Sequence, residues 1–273
     1  MAISLSKRRA IAERKRKIQK RRLFFYRICI VFKLLFFVSL LVFVVIFLNK
    51  LFSLKEVNVE SDVPFYKTED FLKAGNIKKG ENIFFCSEKK IKENIEKNLP
   101  FAKVACISKK LPNKISIKIN KNNGFAAFKV EEGFVVADET LKVLEIVPET
   151  ETNLIFIYGA ELKEYRPGNI LLLKDYSQRE FILETLESLS ENNLTAINSI
   201  NVENLENIEF LYENRVLVKL GSSKNIKNKI NVMAQILKDK IKSDETGELD
   251  LSAYQENSKV YFLPKVIKKE NEN

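Results

Sequence analysis

From Ile28 to Leu48 the chain reads "ICIVFKLLFFVSLLVFVVIFL", apolar on every side of a helix, with Lys33 as its one charge. Such a helix spans about 30 Å, the thickness of a hydrocarbon core. Lys33 lies near one end, where its flexible stem can carry the charge to the interface. Bulky residues follow in "NKLFSLKEV", where a signal-peptide cleavage site needs small ones. The pattern predicts a membrane span over residues 28–48.

Beyond the span the period changes. Ile115, Ile117 and Ile119 alternate with Ser116, Lys118 and Asn120, which predicts a strand with one buried and one wet face. Just before it, "KLPN" places Pro second and Asn third in a turn, where φ can become positive. The turn joins predicted strands at 102–109 and 114–120. Upstream, "SEKKIKENIEKNL" puts Ile91, Ile95 and Leu99 at four-residue spacing, with Ser87 as the amino-terminal cap and Pro100 as the stop. Val57 and Val59 alternate in a short strand. Thr68 opens a short helix with Phe71 and Leu72 on its apolar side, Glu69 and Asp70 near its positive end, and Gly75 after it. "IKKGENIFF" is the loop between the helices. The order over residues 54–120 is β-α-α-β-β.

The remainder reads as a second, β-rich domain with two helices. "FAAFKVEEGFVVADETLKVLEI" predicts a strand pair, and "NLIFIYG" a strand closed by Gly159. A helix follows from Tyr176 to about Asn192, with Ile182, Leu186 and Leu189 on one face. Next come a short strand and a hairpin whose inward sets are Ile208, Phe210 and Val216, Val218, Leu220. Ile226, Ile230, Met233, Leu237 and Ile241 mark the second helix. "GELDLSAYQENSKVYFLP" supplies the last two strands. The domains expected are a basic tail (1–27), the span (28–48), the β-α-α-β-β domain (52–120), the β-rich domain (121–264) and a disordered polar tail (265–273). The fold class is α+β.

Charge sharpens the picture. The net charge is +10, yet the first 33 residues hold twelve Lys/Arg against Glu13 alone, so the rest of the chain is nearly neutral. A pI of 9.3 on a folded domain suggests nucleic acid. Here the basicity is a tail beside a span, so it orients the span and adds contact with anionic lipid; no nucleic-acid partner is expected. The positive-inside rule places the amino terminus in the cytoplasm and everything after about Asn49 outside.

Candidate chemistry is thin. The chain has no His, which removes the usual imidazole base and zinc ligand, and no Gly-rich phosphate loop. Asp138 and Glu139 are a tempting pair of acids for a glycosidase reading, but adjacent acids in a turn normally face solvent. Cys86 and Cys106 lie beyond the span and read as two free thiols rather than a disulfide. Lys109 and Lys110 form either a basic patch for an acidic partner or, more commonly, a solvated strand end. The last strand, "SKVYFLP", alternates Lys259 and Tyr261 with Val260 and Phe262, and Pro264 stops it. A terminal strand tends to be a sheet edge, either protected or open to a partner strand.

The ordered set resembles a known family. The Gly after the first helix, the "GENIF" loop, and the "LPF … SKKLPNKISIKI" ending look like a POTRA domain, in particular that of the FtsQ/DivIB bacterial cell-division proteins. "GFVVAD" and "YRPGNILL" resemble stretches of that family's outer domain; its turn after the Asp often carries a Gly, which "ADETLK" lacks. The resemblance covers about residues 21–264. It implies a non-enzymatic, membrane-anchored divisome scaffold, with no catalytic residue, cofactor or metal. It places the protein in the cell membrane as a single pass, enriched at the septum. The implied partners are FtsB/DivIC-type and FtsL-type proteins, besides the membrane, with other divisome proteins open to the POTRA domain. Carried over by position, the partner-binding residues are Tyr254, Ser258, Lys259, Val260, Tyr261 and Phe262. The competing classes are a membrane-anchored cell-wall enzyme and a POTRA-bearing envelope protein unrelated to division.

Overall fold

The computed structural model describes residues 5–150, 153–254 and 260–265, with residues 5–25 and Cys29 described by backbone alone. Five helices and fourteen strands alternate through the described chain. Helix α1, Leu5–Leu51, is unbroken, and its stretch Tyr26–Leu51 has a mean hydropathy of 3.0 with none of it buried against protein. An apolar helix with no protein cover is what a bilayer requires, and a globular interior does not supply it.

The small domain after the span has the predicted order: β1 (Glu56–Ser61), α2 (Thr68–Ala74), α3 (Glu88–Asn98), β2 (Ala102–Lys110) and β3 (Lys114–Lys121). Its three strands lie in the order β1-β3-β2. Helix α3 starts where the sequence says it should: the Ser87 side chain accepts from Lys90 N, a cap that contributes about 1 kcal/mol. Its Ile91 and Ile95 are buried, as are Ile115, Ile117 and Ile119 of β3. The turn differs from expectation. The Leu111–Pro112 peptide is cis, and Asn113 keeps a negative φ, so proline chemistry and not a left-handed Asn makes this turn.

Close contacts gather the chain into two units. One comprises residues 1–58 with 78–86 and 109–115; the other comprises 59–77, 87–108 and the chain from 116 onward. In the first unit the carboxy-terminal end of α1 runs straight into a knot of loops. Asn82 Nδ2 donates to Asn49 Oδ1 at 2.9 Å. Leu54 N donates to Glu81 O, and Gly80 N to Leu54 O. Lys55 N and Glu56 N both donate to Asn113 O. The side chains of Leu54 and Ile83 are buried.

The second unit contains a nine-stranded sheet in the order β14-β13-β12-β11-β10-β7-β4-β5-β6. The stretch expected to be a strand pair is a three-stranded meander: β4 (Ala126–Val130), β5 (Gly133–Ala137) and β6 (Val143–Val147). The missing turn glycine explains the misreading. Leu141 takes the left-handed conformation itself, φ 63°, with its side chain fully buried, and the chain returns at once as β6. Strands β7 (Ile155–Tyr158), β10 (Ile197–Asn201), β11 (Ile208–Tyr212), β12 (Val216–Gly221), β13 (Gly247–Asp250) and β14 (Tyr261–Pro264) complete the sheet; β8 (Leu162–Glu164) and β9 (Leu172–Leu173) pair separately. Helices α4 (Tyr176–Glu191) and α5 (Ile226–Asp239) cover one face. Ile182, Leu186, Leu189, Ile226, Ile230, Met233 and Leu237 join the sheet's inward Phe128, Ile157, Phe210 and Val218 in one core.

Candidate partner interface

The far end of the sheet is built from β12 outward. Helix α5 carries the chain from β12 to β13, which lies parallel to β12. A parallel pair requires such a crossover. Arg215 holds the approach to β13: its guanidinium donates to Lys242 O at 3.0 Å and Glu245 O at 2.6 Å and pairs with Glu213. The chain then crosses to β14, antiparallel to β13, with Leu249 opposite Phe262, Glu248 opposite Leu263 and Asp250 opposite Tyr261. Gly247 makes room for this pairing. A Cβ there would come 2.3 Å from Leu263 O and 2.9 Å from the Phe262 ring, so a side chain at 247 would push β14 away.

β14 is the outermost strand of the sheet. Its side chains divide by face. Phe262, with Val260 before it, packs against the core. Tyr261 and Leu263 stand on the face away from the helices, each 62% exposed. The backbone divides the opposite way. Lys265 N donates to Thr246 O at 2.7 Å, and bonded pairs alternate along an antiparallel ladder. Tyr261 and Leu263 therefore turn their backbone groups toward β13. Phe262 and Val260 turn theirs toward the open side. The strand offers a partner an aromatic and an aliphatic side chain on one face and a row of backbone donors and acceptors along its rim.

Of the residues named from the sequence, Tyr254, Val260 and Phe262 have side chains against the core, and Tyr261 is exposed. Ser258 and Lys259 lie outside the described residues, as does the polar tail from residue 266. Sequence reasoning passed over Leu263, whose alternation with Phe262 already placed it outward. It also passed over the flanking charges. The Glu248 carboxylate pairs with Lys219 and raises the pKa of its ammonium, and Ser252 N and Oγ both donate to Asp250 Oδ1, lowering the pKa of that carboxyl.

The acids considered for catalysis are committed elsewhere. Asp138, 3% exposed, accepts from Asn122 Nδ2 at 2.8 Å and from Thr140 N, Thr140 Oγ1 and Lys142 N. Glu139 pairs with Lys103 at 2.7 Å. Lys142 Nζ donates to Pro100 O at 3.0 Å, and partial burial lowers its pKa. These bonds fasten the end of β3 and the start of β2 to the turn before β6. Cys86 and Cys106 are free thiols, one buried and one exposed.

Comparison with known proteins fits this division of the chain. Residues 52–122 match the POTRA domain, FtsQ-type, and residues 126–252 match the carboxy-terminal domain of cell division protein FtsQ/DivIB. Cell division protein DivIB of Clostridium botulinum (strain Hall) is 30% identical over 252 residues, which is 91% of this chain and 95% of that protein. The chain belongs to the FtsQ/DivIB family. DivIB of Clostridium acetobutylicum is 28% identical over 203 residues, 74% of this chain and 80% of that protein. The major extracytoplasmic domain of Geobacillus stearothermophilus DivIB overlaps 45% of this chain and 98% of its own at 15% identity, with a TM-score of 0.28. FtsQ/DivIB proteins are division proteins, and this one is a single-pass membrane protein with a POTRA domain followed by a β-rich domain. Strand β14, at 261–264, lies just beyond the matched segment.

Proposed function

We propose that this protein is a non-enzymatic scaffold of the divisome. It would bind FtsB/DivIC-type partners, together with the FtsL-type protein, by adding a partner strand to β14. The amino-terminal tail would lie in the cytoplasm and the POTRA and β domains outside, gathered at the septum. The observation that carries this reading is the rim of β14: an outermost strand whose Val260 and Phe262 backbone groups face away from the sheet. Strand addition supplies directional hydrogen bonds, and exposed side chains such as Tyr261 and Leu263 supply discrimination. Membrane confinement of both partners raises their effective concentration.

The test uses the whole protein in lipid nanodiscs and a purified DivIC–FtsL-type pair. Val260→Pro removes a donor from the open rim and none from the β13 ladder. It should weaken binding at least about tenfold, or about 1.4 kcal/mol. Tyr261→Ala removes an exposed aromatic anchor and should also weaken it. Circular dichroism of each variant must match the parent. Parent-like affinity in both folded variants would refute strand addition at β14.

A further inference from the structure

Apolar side chains crowd the first unit's surface where the chain leaves α1. Phe85 is 84% exposed, Phe84 57% and Leu111 58%. Exposed aromatics of this size are uncommon on a soluble surface and mark a place of contact. Their position is set by bonds already described. Phe84 stacks edge-on against Phe52, centroids 4.9 Å apart, one residue past the end of α1. Asn82 is bonded to Asn49, within the last turn of that helix. Ile83 N donates to Phe52 O, and Ser53 bridges to Asn82. The 109–115 turn is tied to the same point through Asn113 O.

The helix fixes the height of these loops. From Tyr26 to Leu51 it rises about 39 Å, more than a hydrocarbon core and less than a full bilayer. Asn49 therefore sits at headgroup level, and Phe84 and Phe85 with it. The charge around them is mostly positive. Lys50, Lys55, Lys78 and Lys79 come from the helix end and first loop, and Lys109, Lys110 and Lys114 from the turn, against Glu56 and Glu81 alone. The 33 residues at the amino terminus account for the chain's net charge and the rest is nearly neutral in sum, so this local excess of lysines stands out on a segment that is otherwise acidic.

We propose that the 78–86 loop and the 109–115 turn form a collar that docks on the membrane surface beside the span, inserting Phe84 and Phe85 into the interface and placing lysines against anionic headgroups. This occupant follows from continuity: the patch is bonded to the end of a helix that itself needs a bilayer. Aromatic rings at headgroup depth and lysines just above it are the usual anchors of a membrane-seated segment. The collar rests on the single-pass reading of α1 and is independent of what binds β14.

The chain has no Trp, so one introduced indole reports alone. The whole protein is reconstituted in vesicles of phosphatidylcholine with or without phosphatidylglycerol, and carries Phe85→Trp or, as a second reporter, Leu111→Trp. Lipids brominated near the glycerol backbone should quench Phe85→Trp at least about twofold more than Tyr176→Trp, an exposed site on α4. Emission should shift to the blue. Replacing Lys78, Lys79, Lys109 and Lys110 by Gln should remove the extra quenching that phosphatidylglycerol brings. Phe43→Trp, within the span, should be quenched by deeply brominated lipid. Quenching at Phe43→Trp without quenching at Phe85→Trp and Leu111→Trp overturns the collar alone. A blue shift that follows protein density and ignores brominated lipid assigns the patch to a second copy of the chain, and also overturns it. No quenching at Phe43→Trp overturns the span and the collar together.

Discussion

At the β6 edge of the nine-stranded sheet, Val143 N donates to Asn169 O, and Gly168 N donates to Val143 O. Leu171 N reaches Leu141 O beside them. At the β14 edge, no described strand pairs with the outward side. One rim is strapped by a loop of its own chain where it leaves the buried turn at Asp138, and the other has no covering strand among the described residues. An unpaired rim invites aggregation, and proteins cover it when nothing is meant to bind there. The contrast is the strongest internal support for docking at β14.

Breaking the strap should have the largest effect. Gly168 has φ +84°, and a Cβ there would fall 1.8 Å from Lys97 O. Gly168→Val therefore combines a strained backbone with a collision, costing roughly 3 kcal/mol or more. Thermal melts should show the loss, and light scattering should show self-association through the uncovered β6. A parent-like monomer with a parent-like melt would mean that the strap is ornamental. Asp138→Ala comes next. It leaves the buried Asn122 amide and two backbone donors without their acceptor, about 2–3 kcal/mol. Partner affinity should stay within about twofold, since the two rims lie at opposite ends of the sheet; a tenfold drop in the folded variant would show that they communicate.

Leu263→Ala sharpens the other side of the contrast. It should lower partner affinity several-fold, about 1 kcal/mol, and leave the melt unchanged because the side chain is exposed. The smallest effect expected is on acidity. Ser252 lowers the Asp250 pKa in the folded state, so this carboxylate adds stability above its unfolded value, about 3.9. That contribution is lost as the pH falls through the folded value. Hydrogen-exchange protection factors at Ser252 and in β13, corrected for intrinsic rates, should fall on acidification below about pH 4, and Asp250→Asn should abolish the step.

Much of this was readable without coordinates, for a physical reason. Helix α3 and strand β3 are specified locally: a Ser at the cap, four-residue spacing in one case and alternation in the other, with Pro100 marking the break. Helix α5 was legible because Ile226, Ile230 and Met233 repeat at helical spacing. What escaped reading depends on distant partners. Leu141 in a left-handed conformation looks like any Leu until the buried turn around Asp138 is seen. Gly168 looks like a loop glycine until Lys97 O is found against it. At β14, alternation separated Tyr261 from Phe262, yet which of them turns its backbone to the open side depends on the Lys265–Thr246 bond.

The central strand β7 has a consequence in time. It is parallel to β4 on one side and to β10 on the other, pairing Ile155 with Ala126 and Phe156 with Ser199. On either side lies a ribbon closed by short turns, β4-β5-β6 and β10-β11-β12. Short turns close quickly, whereas parallel pairing must first close a long loop and so comes slowly. Loop closure therefore predicts two fast ribbons clasped late by β7, an order that pulse-labelled hydrogen exchange during refolding would read. On that order, a newly made chain would expose the rims of β4 and β10, and that of β12 until the parallel β13 arrives, all of which the finished sheet conceals.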